Sequence, residues 1–129
     1  MEEFILSDNE YEIMSLLWEE NKPLSKADII KLSPNRSWSE SSIYILLNSM
    51  LKKGAIIEDG FVKKQTNYTR IFAPRLSEVE YSVMQINFGN KKRKLSVSAL
   101  VSGLIQNTSD ISEILELEKI IQKKIKDLE

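Results

Sequence analysis

The hydrophobic period of this chain changes at Gly54 and changes back at Pro74. Before Gly54, apolar residues recur at helical spacing in three short runs, and between residues 55 and 72 they alternate as in paired strands. After Pro74 helical spacing returns, in three further runs. With 129 residues the chain is too short for a typical barrel or a two-domain dinucleotide enzyme, so this order must be satisfied by one ordinary domain or two very small ones.

The element boundaries are written in local signals. Ser7 with Glu10 forms a capping box that opens a first helix to about Glu20, with Tyr11, Met14, Leu17 and Trp18 on one side and Ile13 and Leu16 beside them. Asn21-Lys22-Pro23 breaks it, and Ser25 with Asp28 opens a short second helix that ends at Ser33-Pro34-Asn35. Ser39 is placed to cap a third helix, whose stripe is Ile43, Leu46, Leu47, Met50 and Leu51, and Gly54 closes it. Residues 55–58 with Phe61-Val62, and residues 67–72, read as two strands. The expected turn is Lys63-Lys64-Gln65-Thr66, with Asp59-Gly60 as the alternative tip. A further capping box, Ser77 with Glu80, opens a fourth helix through Tyr81, Met84 and Phe88. A fifth stripe runs from Val97 to Ile105, and Asp110 with Glu113 starts a last helix through Leu128.

Three short helices followed by a β-hairpin are the outline of a winged helix-turn-helix. The expected fold is therefore mainly α with a small β-hairpin wing: a winged helix-turn-helix over residues 1–75, followed by a helical dimerisation region over residues 76–129. The last helix carries the apolar stripe Ile111, Ile114, Leu117, Ile121, Ile125 and Leu128, which is hard to cover within so small a region. Tyr81, Val97, Leu100, Val101, Leu104, Ile114, Leu117, Ile121 and Ile125 are accordingly the candidate homodimer contacts. The alternative is that the stripe folds back on the fourth and fifth helices of its own subunit.

Composition removes most chemistry. The chain has no Cys and no His, hence no zinc site, disulfide, Cys nucleophile or His base, and no metal or other cofactor is expected. The carboxylates Asp8, Glu10, Glu12, Glu19 and Glu20 lie along one helix without His, Cys or a Gly-rich phosphate loop, so they read as a solvated face and the chain as no enzyme. No apolar run approaches the roughly twenty residues of a membrane span, and Met1-Glu2-Glu3 is acidic where a signal peptide is basic. A cytoplasmic protein without membrane attachment is the expectation.

Net charge is −1, but it is segregated. Residues 1–37 carry a net −4 and residues 52–75 a net +4, from Lys52, Lys53, Lys63, Lys64, Arg70 and Arg75 against Glu58 and Asp59. A neutral chain arranged in this way can present a local anion-binding face. A second basic run, Lys91-Lys92-Arg93-Lys94, precedes the fifth stripe and reads first as a solvated segment.

Specific residues also carry a family resemblance. Residues 6–14 with Leu17-Trp18, then Trp38-Ser39, Ile43, Leu46-Leu47, residues 51–55, the strand from Tyr68 to Pro74 and residues 98–101 resemble, in order and spacing, the penicillinase repressor, methicillin-resistance repressor and copper-transport repressor group of bacterial regulators. The resemblance implies a homodimeric repressor with its winged helix on double-stranded operator DNA. It also implies, for several members, release by a sensor-linked protease that cuts an Asn-Phe bond in the fifth helix; the matching stretch here is Ser102-Gly103-Leu104-Ile105. The copper branch senses metal through a cysteine cluster, a route closed to a chain without Cys.

The third helix departs from the family's pattern, placing Ser41, Ser42, Ile45 and Ser49 where members commonly carry Lys, Thr, Thr and Arg. Hydroxyls of Ser41 and Ser42 can still donate to phosphate at the helix start, Asn48 can bond adenine, Ile45 can meet a thymine methyl, Tyr44 completes the outward face, and Ser39 and Ser49 are further candidate DNA contacts. Affinity is then expected to lean on Lys52, Lys53 and the wing bases Lys63, Lys64 and Arg70. Trp18 and Trp38 adjoin apolar stripes and are expected in the core. A winged-helix dimer that serves as a protein-interaction module, without specific DNA reading, is the alternative function.

Overall fold

The computed structural model describes residues 3–91 and 94–129. Residues up to Gly89 form one compact unit and Asn90–Glu129 a second. The first unit contains helix α1 (Asp8–Glu20), strand β1 (Leu24–Ser25), helix α2 (Lys26–Lys31), a 3₁₀ turn (Glu40–Ser42), helix α3 (Ile43–Lys53), strands β2 (Ile56–Lys64) and β3 (Asn67–Pro74), and helix α4 (Glu78–Gly89). The second contains helices α5 (Val97–Gln106) and α6 (Ile111–Leu128). This is the winged helix-turn-helix order, with one element unforeseen: β1 pairs antiparallel with β3, giving a three-stranded sheet in the order β1-β3-β2. Two residues are too short to show a period, so nothing in the sequence marks β1 as a strand.

The local signals act as expected. Both bonds of the capping box are made at Ser7/Glu10, Ser25/Asp28 and Ser77/Glu80, so helices α1, α2 and α4 begin where their sequences say. Gly54 ends α3 at φ 82°, and a Cβ there would stand 3.1 Å from Arg75 Nη1. Helix α3 differs at its start. Ser39 makes no side-chain cap, because the chain enters through the 3₁₀ turn and its hydroxyl bonds instead with Ser42 Oγ at 2.7 Å and Ser41 Oγ at 3.1 Å.

The core of the first unit gathers Ile13, Met14 and Leu17 of α1, Ile29 of α2, Ile43, Leu47 and Met50 of α3, and Ile56 and Phe72 of the sheet, all essentially without solvent contact. Trp38 is buried with them and Trp18 is half-buried, its indole N–H donating to Leu76 O at 2.9 Å. Tyr81, expected at a dimer contact, belongs to this core. Its hydroxyl accepts from Leu6 N at 3.2 Å, and its ring stands about 6 Å from those of Phe4, Tyr11 and Trp18. Gln85 of α4 also donates to Phe4 O at 3.0 Å. These contacts tie α4 to the N-terminal segment, and the first compact unit runs to Gly89.

In the second unit neither helix has a fully buried residue. Val97, Leu104, Ile121 and Ile125 are exposed, while Leu100, Val101 and Leu117 are half-buried. Ile114, Leu117, Ile121 and Ile125 of α6 line, with Ile105 of α5, a recess of about 370 Å³. Of the second basic run, Lys92 and Arg93 lie outside the described residues.

Candidate nucleic-acid interface

Helix geometry decides which part of α3 is available to a ligand. Ile43, Leu47 and Met50 point into the core, which leaves Ser41, just before the helix, and Tyr44, Ile45, Asn48 and Lys52 outside, at intervals of three or four residues on one face. Ile45 is 73% exposed, so its methyls serve no core and are free to meet an apolar group such as a thymine methyl. Ser42 is half-buried within the hydroxyl cluster at the helix start. Glu40 lies beside it, 3.9 Å from Arg36 Nη2, which offsets its charge next to the face.

Two residues expected on this face turn away from it. Ser49 is half-buried, its hydroxyl set against the Glu10 carboxylate. Lys53 is drawn to the same group: its Nζ donates to Glu10 Oε1 at 2.5 Å and to Ile5 O at 2.9 Å. Glu10, expected on a solvated surface, is only 2% exposed. It closes the capping box of α1 on Ser7 N at 2.8 Å and balances Lys53 at once. Burial alone would raise its pKa. The Lys53 ammonium, the Ser7 N–H and the Ser49 and Ser7 hydroxyls outweigh that and hold it below the ordinary value, so Glu10 stays ionised. Glu12 is likewise engaged, accepting from Ser37 N at 3.0 Å. Lys53 is thus a structural counter-ion, while its neighbour Lys52, about 100° around the helix, is exposed.

The wing is longer than the expected hairpin. Lys63 and Lys64 are strand residues, paired with Tyr68 and Asn67, and the turn is Gln65-Thr66 with Gln65 at φ 53°. Asp59-Gly60 is a bulge in β2, where the register shifts between Glu58 and Phe61. Because strand side chains alternate, Lys63 shares a ribbon face with Tyr68 and Arg70, whereas Lys64 points to the other. The two lysines therefore cannot lie side by side along one phosphate run. Arg70, expected as a free wing base, has its Nη1 2.6 Å from Glu58 Oε1 and its guanidinium over the Phe72 ring at 5.3 Å. Phe61 and Tyr68 stand bare on that face, more than three-fifths exposed.

One cation missed in the sequence reaches the α3 face from outside it. Lys26 of α2 places its Nζ 4.0 Å from the centroid of the Tyr44 ring. No local pattern joins residues 26 and 44; only the fold does.

An outward helix face of hydroxyls, an amide, a phenol and an exposed aliphatic, flanked by a cationic β-ribbon, defines a winged-helix DNA-binding regulator. The penicillinase repressor family model matches residues 6–123, and the chain belongs to that family, one of repressors and not of enzymes. The methicillin resistance regulatory protein MecI of Mammaliicoccus sciuri is 29% identical over 121 residues, covering 92% of this chain and 94% of that protein. The penicillinase repressor of Bacillus licheniformis is 25% identical over 120 residues, covering 92% and 90%. Among solved structures, the adhesin competence repressor of Streptococcus pyogenes matches loosely, with TM-score 0.41 and 15% identity over 95% of this chain and 80% of that one. Among the described residues no helix is long and apolar enough to cross a membrane.

Proposed function

We propose that the protein represses transcription as a homodimer bound to a two-fold symmetric duplex operator, the exposed face of α3 lying in the major groove and the wing along the backbone. The observation that carries this is the set Ser41, Tyr44, Ile45, Asn48 and Lys52 on one accessible face of the helix that follows the turn. Asn48 pairs with adenine, Ile45 with a thymine methyl, and the serine hydroxyls with phosphate. Lys52, Lys63 and Lys64 supply charge, Lys63 and Lys64 from opposite ribbon faces. The exposed apolar residues of α5 and α6, with the recess between Ile105 and Ile125, are the proposed seat of a second copy. A sensor-linked protease, as the releasing partner, would act in the stretch of α5 where Ser102, Gly103 and Leu104 are exposed, which itself holds no Asn-Phe bond.

The test is fluorescence anisotropy of a labelled duplex, enriched by the full chain from a randomised library, against a scrambled duplex. Binding is expected to be sequence-dependent, to fall with salt and to protect two half-sites. Lys63→Glu with Lys64→Glu is expected to abolish it. Retention in that double variant would remove the wing from the interface, and failure to enrich any duplex would favour the protein-interaction reading instead.

A further inference from the structure

We infer that Lys26 is a phosphate-binding residue of this interface and that, seated over the Tyr44 ring, it also fixes the orientation in which Tyr44 meets the groove. The inference rests on the DNA-binding reading above.

Charge supply comes first. The α3 face from Ser41 to Asn48 carries hydroxyls, a ring, an aliphatic group and an amide, but no cation. Helix α3 has its two bases at its C-terminal end, and Lys53 is held by Glu10. Glu40 adjoins the uncharged half. Lys26, from a different helix, brings an ammonium to it.

Lys26 is also free to act. Among the described residues it forms no ion pair and no side-chain hydrogen bond, and its contact is the face of Tyr44. An ammonium resting on a ring is attracted by the ring's quadrupole yet keeps N–H groups for an acceptor on the solvent side. Lys53 and Arg70, by contrast, already have their anions within the fold.

Position completes the case. Lys26 and Tyr44 together line two recesses, one shared with Glu40 and Ser41 at the start of α3, the other with Thr69 and Arg70 at the base of the wing. The ammonium thus stands between the recognition helix and the ribbon, where a strand contacted by both must pass. Tyr44 is 53% exposed, and a ring clamped on one face presents its hydroxyl in fewer orientations than a free one.

The experiment measures anisotropy of the enriched duplex with the full chain across a salt series, for Lys26→Met, Lys26→Arg, Tyr44→Leu and the Lys26→Met/Tyr44→Leu pair. Lys26→Met is expected to weaken binding about three- to tenfold on specific and scrambled duplexes alike, and to shallow the slope of log K against log salt by about 0.9 per bound protomer. Lys26→Arg, which keeps charge and stacking, is expected to retain both. The losses in the double variant are expected to fall short of the product of the single ones, since removing either partner undoes the clamp. Thermal melting of each variant confirms folding, and should Lys26→Met not fold, Lys26→Gln replaces it. Unchanged affinity and slope on removing the charge would overturn the phosphate role, and strictly multiplicative losses would overturn the clamp. A wild-type chain that binds no duplex at any salt would instead overturn the DNA-binding reading, which separates the two failures.

Discussion

Lys52 and Lys53 are adjacent and chemically identical, yet the structure predicts opposite consequences for removing each. Lys53→Met deletes the counter-ion of a carboxylate that is 2% exposed, leaving Glu10 ionised and held only by Ser7 and Ser49. Breaking a buried pair from one side costs about 3–5 kcal/mol, and because the Lys53 side chain is itself 31% exposed, so that water can partly replace it, the lower end, about 3 kcal/mol, is expected. With a urea dependence of roughly 1.5 kcal/mol per molar, the midpoint should fall by about 2 M at fixed protein concentration. Lys52→Met should leave the stability within about 0.5 kcal/mol of wild type, a midpoint shift of no more than about 0.3 M. In anisotropy titrations the order reverses: Lys52→Met should shallow the salt slope by about 0.9 per protomer, and Lys53→Met, assayed well below its melting temperature, should leave it unchanged. The variant Lys53→Met/Glu10→Gln, which removes both charges, should recover much of the lost stability. A Lys53→Met protein as stable as wild type but with a reduced salt slope would refute the reasoning, since Lys53 would then be spending its charge on DNA.

Three further outcomes follow from the same contacts. Glu10 has its folded pKa held below the ordinary 4.5, so its contribution to stability is fully present above that pH and is lost as the pH falls through the folded value; urea midpoints measured across this acid range should show a flatter limb for Glu10→Gln than for wild type. Glu58→Gln removes an acid from the wing and releases Arg70 from its 2.6 Å partner, so DNA affinity by anisotropy should rise about three- to tenfold with a steeper salt slope. Ile121→Glu puts a charge among the apolar side chains around the α6 recess and should give a monomer by light scattering, with operator affinity lost in parallel.

What the sequence made legible is what is encoded within four residues. Ser7 and Glu10, Ser25 and Asp28, and Ser77 and Glu80 are capping boxes wherever the chain takes them, and Gly54 can end a helix at φ 82° without a Cβ penalty. The stripe of α3 likewise placed Tyr44, Ile45, Asn48 and Lys52 outside, because their exposure follows from which neighbours are buried. The longer reaches were not legible. Tyr81 looks like any aromatic on an amphipathic helix until Leu6, 75 residues earlier, donates to its hydroxyl. Strand β1 exists only because Leu24 and Ser25 lie against Phe72 and Ile71.

Charge shows most clearly why a list of residues underdetermines a binding face. The basic island of residues 52–75 has six bases in sequence, but Lys53 is neutralised by Glu10, 43 residues away, and Arg70 by Glu58 across the bulged ribbon. The same fold that withdraws those two sets Lys26, counted in the acidic N-terminal segment, against the ring of Tyr44. A phosphate backbone responds most strongly to cations without an anion of their own, since a neighbouring carboxylate offsets part of the charge that would displace counter-ions. The electrostatic footprint of this protein is therefore what tertiary pairing leaves over, and replacing the buried or ribbon carboxylates should alter it as surely as replacing the lysines proposed to meet DNA.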